Sequence, residues 1–446
     1  MLKELVKPTI EQLIASRRWS ELREALEDWE APELADLLMD VEKADRVLLF
    51  RALPRLLSAE VFSYMEFQEQ DELLRDLTDS ETRALLANLA PDDRTVLLDE
   101  LPGQVTQRLL NLLSPEDMRE ARMLLGYPEE SVGRLMTPDY VAVRPEWTID
   151  AALDHIRRHG KRSETINRIY VIDSSWRLVD DLDLRRFILA KSQETVESIM
   201  DHSFVSVSAF ADREEAVRLI GRYDLVALPV VDSEGVLVGI VTVDDVLDVA
   251  EEEATEDFHR VGSVEPLRMG YWEATLWTLY RTRIGWLSGL VLVNLVSGGV
   301  LAAFEETLTS VVALAFFIPL IIATGGNAGM QSATIIIRGI STGDVNLAQW
   351  GHAFLREAGI GVFLGLTLGV LTAVLGIARG GLDLGLVVFL TMISMLMVTN
   401  LLGMSLPFIF GRLGIDPAVA SGPLVTSVAD IIGLLIYFSI ATWLLM

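Results

Sequence analysis

The chain has 446 residues, too many for one hydrophobic core and about right for three units of ~150 residues. With 51% hydrophobic residues and a mean hydropathy of +0.36 it is not composed like a water-soluble enzyme, and without cysteine it has no disulfide, thiolate metal site, iron–sulfur cluster or cysteine nucleophile. Its 64 acidic side chains against 37 basic ones give a net charge of −27, which repels phosphate backbones, argues against nucleic acid as a partner and suits cations.

The charge is segregated along the chain. Residues 279–446 carry six basic and seven acidic side chains, which leaves 31 and 57, or −26 of the net charge, for residues 1–278. An acidic water-soluble half is joined to a nearly neutral apolar half. The stretch MLKELVKPTIEQLIASRRWSEL is charged and amphipathic with no apolar core of signal-peptide length, so the acidic half is expected in the cytoplasm. Residues 1–130 read as short amphipathic helices punctuated by proline and aspartate. Helix starts recur at Leu89-Ala-Pro-Asp-Asp93 and Leu113-Ser-Pro-Glu-Asp117. The expectation is a small helical superhelix whose acids are mostly solvated faces.

Residues 136–255 contain an internal repeat. Met136-Thr-Pro-Asp139 and the segment after it match Met200-Asp-His-Ser203 and its sequel at a spacing of 64, whereas Val171 matches Val230 at 59. The difference is taken as a small insertion in the second copy or a deletion in the first. Each copy reads strand, helix, strand, strand, helix, with boundaries at 131–196 and 197–252. This pattern resembles a tandem pair of CBS domains, a Bateman module. In CBS domains that bind adenine nucleotides, a Ser or Thr and an Asp three residues on contact the ribose. The second copy has Thr242 and Asp245 there, and the first has Asp183 and Arg186, so the resemblance implies at most one such site, for ATP or a related nucleotide.

From Asp244 to Asp257 the run DDVLDVAEEEATED holds eight acids in fourteen positions. Such a run is ordinarily a solvated helix face. A connecting helix is expected over 253–278, leading from the acidic half into the apolar one.

The apolar half, 279–446, divides into five segments at 284–304, 311–337, 359–378, 384–410 and 417–446, each about the ~20 residues a helix needs to cross hydrocarbon. With the amino terminus inside, the cytoplasmic ends hold Arg281, Arg283, Arg338, Arg356 and Arg412 and the outer loops hold Arg379, as the positive-inside rule requires. The carboxyl terminus then lies outside the plasma (inner) membrane. The second segment contains the run Thr324 to Thr334, with three glycines and five polar side chains, which is expected to break or thin its helix beside a water-filled cavity. The fourth carries Asn400, with Gly403 and Pro407 on the same face. The fifth carries Asp430 inside the bilayer, with Thr426 and Ser427 at i−4 and i−3 and Pro423 at i−7. No basic residue follows Gly381 except Arg412, so an intrahelical salt bridge does not explain this acid.

A lone carboxylate among amide, hydroxyl and carbonyl oxygens suits a hard divalent cation, and Mg²⁺ in particular keeps most of its waters and takes one or two carboxylates. A two-fold homodimer would supply two copies of Asp430, enough to balance one such ion. An intramembrane aspartyl protease is a weak rival: Asp416 lies at a span boundary and no second span offers a Tyr-Asp partner. An ATP-driven pump lacks its phosphate-binding motif.

In this order of parts the chain resembles the MgtE family of magnesium channels over essentially its whole length, most specifically at Gly325-Gly-Asn-Ala-Gly329, Gln331-Ser-Ala-Thr334, Asp416-Pro-Ala418 and Gly422 through Asp430. The resemblance implies a multidomain membrane protein: an all-α N-terminal superhelical domain, an α/β tandem CBS (Bateman) module, a connecting (plug) helix and an all-α five-helix transmembrane pore domain, assembled as a homodimer in membrane lipid. It implies that Asp430 of both subunits binds hydrated Mg²⁺, that Thr426 contributes a carbonyl, that Asn327 and Thr334 line the path and that Asp416 sits at its cytoplasmic mouth. It also implies a cytosolic Mg²⁺ sensor. Glu60 and Asp92 of the N domain would face Glu214, Asp224, Asp245, Asp248, Glu253, Glu256 and Asp257, and Mg²⁺ between them would favour a closed pore. The alternative is a CBS-domain membrane receptor that conducts nothing.

Overall fold

The computed structural model describes residues 2–26, 29–267, 271–272 and 274–446. They form two compact units, Met1–Ala250 and Glu251–Met446.

In the first unit, the segment up to Leu124 is a succession of helices of 8 to 14 residues, from Leu2–Ala15 to Pro115–Leu124. The proline starts seen in the sequence are helix starts. Pro91–Glu100 and Pro115–Leu124 both open on a proline whose missing N–H costs nothing at that position. Ser114 caps the second by accepting from Asp117 N at 3.1 Å, and Thr78 with Glu81 forms a reciprocal capping box on Asp79–Leu86. One leucine-rich core, including Leu22, Leu34, Leu37, Phe62 and Leu86, runs through all these helices.

Each repeat copy builds a three-stranded sheet. In the first, β1 (Ala142–Val143) runs parallel to β2 (Arg168–Ile172), which is antiparallel to β3 (Leu178–Asp183). In the second, β4 (Val207–Ser208), β5 (Ala227–Val231) and β6 (Leu237–Thr242) repeat that order. The copies exchange their leading segments: Thr137 pairs with Ile240 through two backbone hydrogen bonds of 2.9 Å, and Val132 and Met136 are buried in the second copy's core. The length difference is the reverse of the expectation. Helix and second strand are joined by residues 160–167 in the first copy but only by 224–226 in the second, so the five extra residues lie in the first copy.

A helix runs Val243–Val261, directly out of β6. Its described part does not continue as one helix over the expected 253–278. It stops at Gly262 and Ser263, where Ser263 has a φ of 56° and its hydroxyl donates to Ser421 Oγ at 2.6 Å. Residues 268–270 and 273 of the expected connecting helix lie outside the described residues.

Among the described residues of the second unit, four helical segments are long and apolar enough to cross a membrane: Leu276–Ala303, Val312–Ser341, Leu347–Arg412 and Gly422–Leu445. The longest is a hairpin. Gly380 and Gly381 leave helical geometry, and Gly381 has a φ of 84° that favours glycine. The two arms then pack antiparallel through a glycine stripe: a Cβ on Gly361, Gly365 or Gly376 would lie 2.6, 2.6 or 2.8 Å from the Cα of Met397, Ile393 or Gly385.

The expected break in the glycine-rich run is absent. Ile318–Ser341 is one continuous helix. Its glycines serve close approach instead of unwinding: a Cβ on Gly403 would stand 2.0 Å from Gly329 O, so the two backbones touch. Packing offsets the helix propensity these glycines lack.

Candidate metal sites

The helix Gly422–Leu445 opens on Pro423, and Thr426 Oγ1 donates back to Pro423 O at 3.0 Å. Thr426 packs against Gly326 of the neighbouring helix, where an added Cβ would lie 3.1 Å from its methyl carbon. Asp430, one turn beyond Thr426, is half-buried. Asn327 and Thr334 share one open groove with Met330, Gln331 and Ile335. Asp430 and Thr426 are not among the residues lining it.

Asp416 has partners already. Its Oδ1 accepts from Ala418 N at 2.7 Å, which starts the turn Pro417–Val419. Its Oδ2 is ion-paired with Arg260, which also pairs with Glu256 one turn before it on the helix Val243–Val261. Asp257 accepts from Ser341 Oγ at 3.1 Å, and burial raises its carboxyl above the ordinary range.

Sequence reasoning missed one intramembrane acid. Glu357 lies in the hairpin's first arm and is buried, with its Oε2 accepting from Ser332 Oγ at 3.0 Å. Beside Arg356 it reads as an interface charge. The signal that could have found it is its i, i+4, i+8 relation to Gly361 and Gly365, which places it on the stripe facing the second arm.

In the first unit, acids from the N domain and both CBS copies gather. Asp92 is buried, and that burial, followed by the charges of Asp245, Asp93 and Glu164, raises its carboxyl well above the usual range. Burial pushes Asp93 up to about 6 against the relief of a Ser63 hydrogen bond, with Asp244 and Asp248 adding repulsion. Burial likewise pushes Asp245 up to about 7; the Thr242 hydrogen bond opposes it, and Asp244, Asp93 and Glu164 reinforce it. Glu60 faces the same group, because its charge, with those of Asp244, Asp93 and Asp248, adds to burial in raising the Tyr64 hydroxyl. Glu164 was not foreseen. It sits on the longer first-copy loop, anchored by its backbone N–H to Asp139 O at 2.8 Å.

Other sensor residues are not brought together. Glu214 and Asp224 lie at opposite ends of the helix Arg213–Tyr223, both exposed, with Asp224 left-handed at φ 51°. Glu253 and Glu256 are on the helix Val243–Val261. Among the described residues no three carboxylate or histidine groups stand close enough to hold one metal ion by themselves. Thr242 Oγ1 donates to Asp245 Oδ2 at 2.7 Å, whereas the first-copy equivalents are engaged elsewhere, Asp183 with Arg168 at 3.6 Å and Arg186 with Asp201 at 2.6 Å.

Residues 318–440 match the MgtE divalent cation transporter family, 2–130 the MgtE intracellular N domain, and 132–190 and 196–252 the CBS domain. The magnesium transporter MgtE of Thermus thermophilus is 41% identical over 447 residues, covering 100% of this chain and 99% of that protein. The chain belongs to the MgtE family. A second MgtE, from Bacillus subtilis, is 34% identical over 94% of this chain and 95% of its own length. Two solved structures resemble the acidic half. The cytosolic domain of the Mg²⁺ channel MgtE in complex with ATP covers 55% of this chain at 39% identity and a TM-score of 0.53, with 99% of that structure matched. The soluble part of a magnesium transporter covers 56% at 28% identity and a TM-score of 0.54, again with 99% matched. The MgtE family is one of transporters, not enzymes, and the helical N domain, CBS pair and apolar helices seen here are its parts.

Proposed function

We propose that this chain carries Mg²⁺ across the plasma (inner) membrane through a homodimeric pore and that cytosolic Mg²⁺ closes it. The observation that carries the reading is Asp430: a half-buried carboxylate on an otherwise uncharged membrane helix, one turn from Thr426, which itself packs on Gly326 of the polar second helix. In lipid such a group is costly and belongs to a pathway. Two copies across a two-fold axis balance one divalent ion, and Mg²⁺ that keeps its waters needs no further carboxylates. Asn327 and Thr334 line the route, and Asp416 stands at its cytoplasmic mouth. With the hairpin at Gly380 and Gly381 counted as two crossings there are five, the amino-terminal half inside and the carboxyl terminus outside.

Closure follows from electrostatics. Glu60, Asp92, Asp245 and Asp248 crowd one interface of the acidic half, and Glu214, Asp224, Glu253, Glu256 and Asp257 extend the acidic surface. Mg²⁺ drawn between these groups relieves their repulsion and holds the cytoplasmic part compact. ATP is assigned to Thr242 and Asp245 of the second CBS copy alone. The test is Mg²⁺ entry into proteoliposomes loaded with a Mg²⁺-sensitive dye. Entry with the wild type and none with Asp430→Ala is expected. No entry with the wild type while internal Mg²⁺ is chelated would instead favour a CBS receptor that does not conduct.

A further inference from the structure

Glu357, Ser332 and Asn400 bring three buried polar side chains together from both arms of the hairpin and the helix Ile318–Ser341. Ser332 Oγ is 3.0 Å from Glu357 Oε2 and 3.1 Å from the Asn400 carbonyl, so one hydroxyl proton faces two acceptors. Asn400 Nδ2 lies 3.4 Å from Glu357 Oε2. Asn400 is only 2% exposed, and among the described residues its Oδ1 has no donor. Turning the amide by half a rotation does not help, because Oδ1 would then face the carboxylate.

The cluster is short of positive charge as well as of donors. Among the described residues no Arg, Lys or His forms an ion pair with Glu357, and Arg338, Arg356 and Arg412 on the same helices are exposed. A carboxylate buried in apolar surroundings is neutralised by a proton or by a cation, and the surplus of oxygen acceptors here suits the cation.

We propose that Glu357, Asn400 and Ser332 hold a dehydrated monovalent alkali cation, sodium in size, in the wall of the pore domain. One carboxylate balances one positive charge. Mg²⁺ is a poor occupant, because it sheds its waters reluctantly and would leave a charge in excess. With the Asn400 amide turned so that Oδ1 faces the carboxylate across the ion, the ligands are a carboxylate, a hydroxyl, an amide oxygen and a helix carbonyl, the oxygen set that membrane carriers use for Na⁺. Bound there, the ion ties the hairpin to the polar helix beside the Gly329–Gly403 contact. The site does not use Asp430 and does not depend on which ion Asp430 passes.

The experiment is binding of radioactive Na⁺ to the purified full-length chain in detergent, competed with unlabelled NaCl or MgCl₂. Saturable binding displaced by NaCl and not by MgCl₂ is expected. It should weaken about tenfold or more in Glu357→Gln, the scale on which loss of even a group supporting a metal ligand weakens binding, and remain unchanged in Asp430→Asn. Absence of saturable binding in monodisperse wild type, retention in Glu357→Gln, displacement by MgCl₂ or loss in Asp430→Asn would each overturn the proposal. Where Glu357→Gln does not yield monodisperse protein, Ser332→Ala decides: weaker Na⁺ binding supports the site and unchanged binding refutes it.

Discussion

Arg260, in the last turn of the helix Val243–Val261, is ion-paired with Asp416, at the start of the turn leading into the helix that carries Asp430. The guanidinium supplies the positive charge beside the Asp416 carboxylate. It joins the end of the linking helix to the entrance of the pore helix, with the Ser263–Ser421 hydrogen bond alongside. If cytosolic Mg²⁺ closes the pore as proposed above, this pair couples the linking helix to the turn before the helix that carries Asp430.

Arg260→Gln removes the charge and keeps much of the side chain's length. The variant is expected to need more internal Mg²⁺ for closure, by about fivefold or more, the lower end of typical coupling energies. Mg²⁺ entry into proteoliposomes, measured across a series of internal Mg²⁺ concentrations, gives the midpoint directly. An unchanged midpoint would mean that the pair contributes nothing to closure.

Close backbone packing predicts a sharp contrast between glycines. Gly403→Ala drives a methyl to 2.0 Å from Gly329 O, a rigid backbone atom, whereas Gly285→Ala meets nothing within 4 Å. Overpacking of this kind costs about 1–3 kcal/mol or more, and alanine in an open helix gains about 0.5–1 kcal/mol over glycine. Gly403→Ala should therefore lose thermal stability in detergent and Gly285→Ala should not. Equal melting temperatures would contradict the Gly329–Gly403 contact.

The acidic interface predicts a pH dependence with a definite sign. An unfolded aspartate titrates near about 4, whereas burial raises Asp93 to about 6 and Asp245 to about 7 in the folded chain. The folded state therefore binds these protons more tightly, and their contribution to stability is present below about pH 4 and lost as pH rises through about 6 to 7. In EDTA the melting temperature of the acidic half should fall between pH 5 and pH 8, and added Mg²⁺ should restore it at pH 8. Asp245→Asn should flatten the slope. A melting temperature that does not change with pH in EDTA would contradict the burial of these carboxylates.

Much of this was legible in the sequence, for definite physical reasons. Pro91 and Pro115 with their caps announce helix starts because proline and a capping hydroxyl belong there whatever the tertiary context. Asp430 stands out because nothing nearby balances it. Continuity of the helix through Thr324 to Thr334 was not legible, since glycine lowers helix propensity locally and the compensation comes from Met395, Thr426 and Gly403, distant in sequence. The ion pair of Asp416 was not legible, because its partner Arg260 lies 156 residues away. Glu357 was hidden by its neighbour Arg356, although the glycine stripe marks its face as buried.

Glu164 supplies the last prediction, because the sequence alone placed no sensor residue on its loop. Burial raises its carboxyl first, and Asp244, Asp93 and Asp139 add to the effect, so it contributes negative charge to the same interface from a third segment. Glu164→Gln removes one repelling charge from that group and leaves Asp92, Asp245 and Asp248 in place. The compact state should then form at lower Mg²⁺ if Glu164 mainly repels, and at higher Mg²⁺ if it holds the ion's water shell. Its backbone anchor to Asp139 O keeps it beside Asp244, Asp93 and Asp139, and among the described residues no ion pair joins it to a cation, which favours the first. Protease protection of the full-length chain, titrated with Mg²⁺, should therefore show the midpoint shifted to lower Mg²⁺ in Glu164→Gln, while Glu214→Gln, at an exposed helix start, moves it less. A shift to higher Mg²⁺ would make Glu164 part of the ion's coordination environment, and no shift would remove it from the interface altogether.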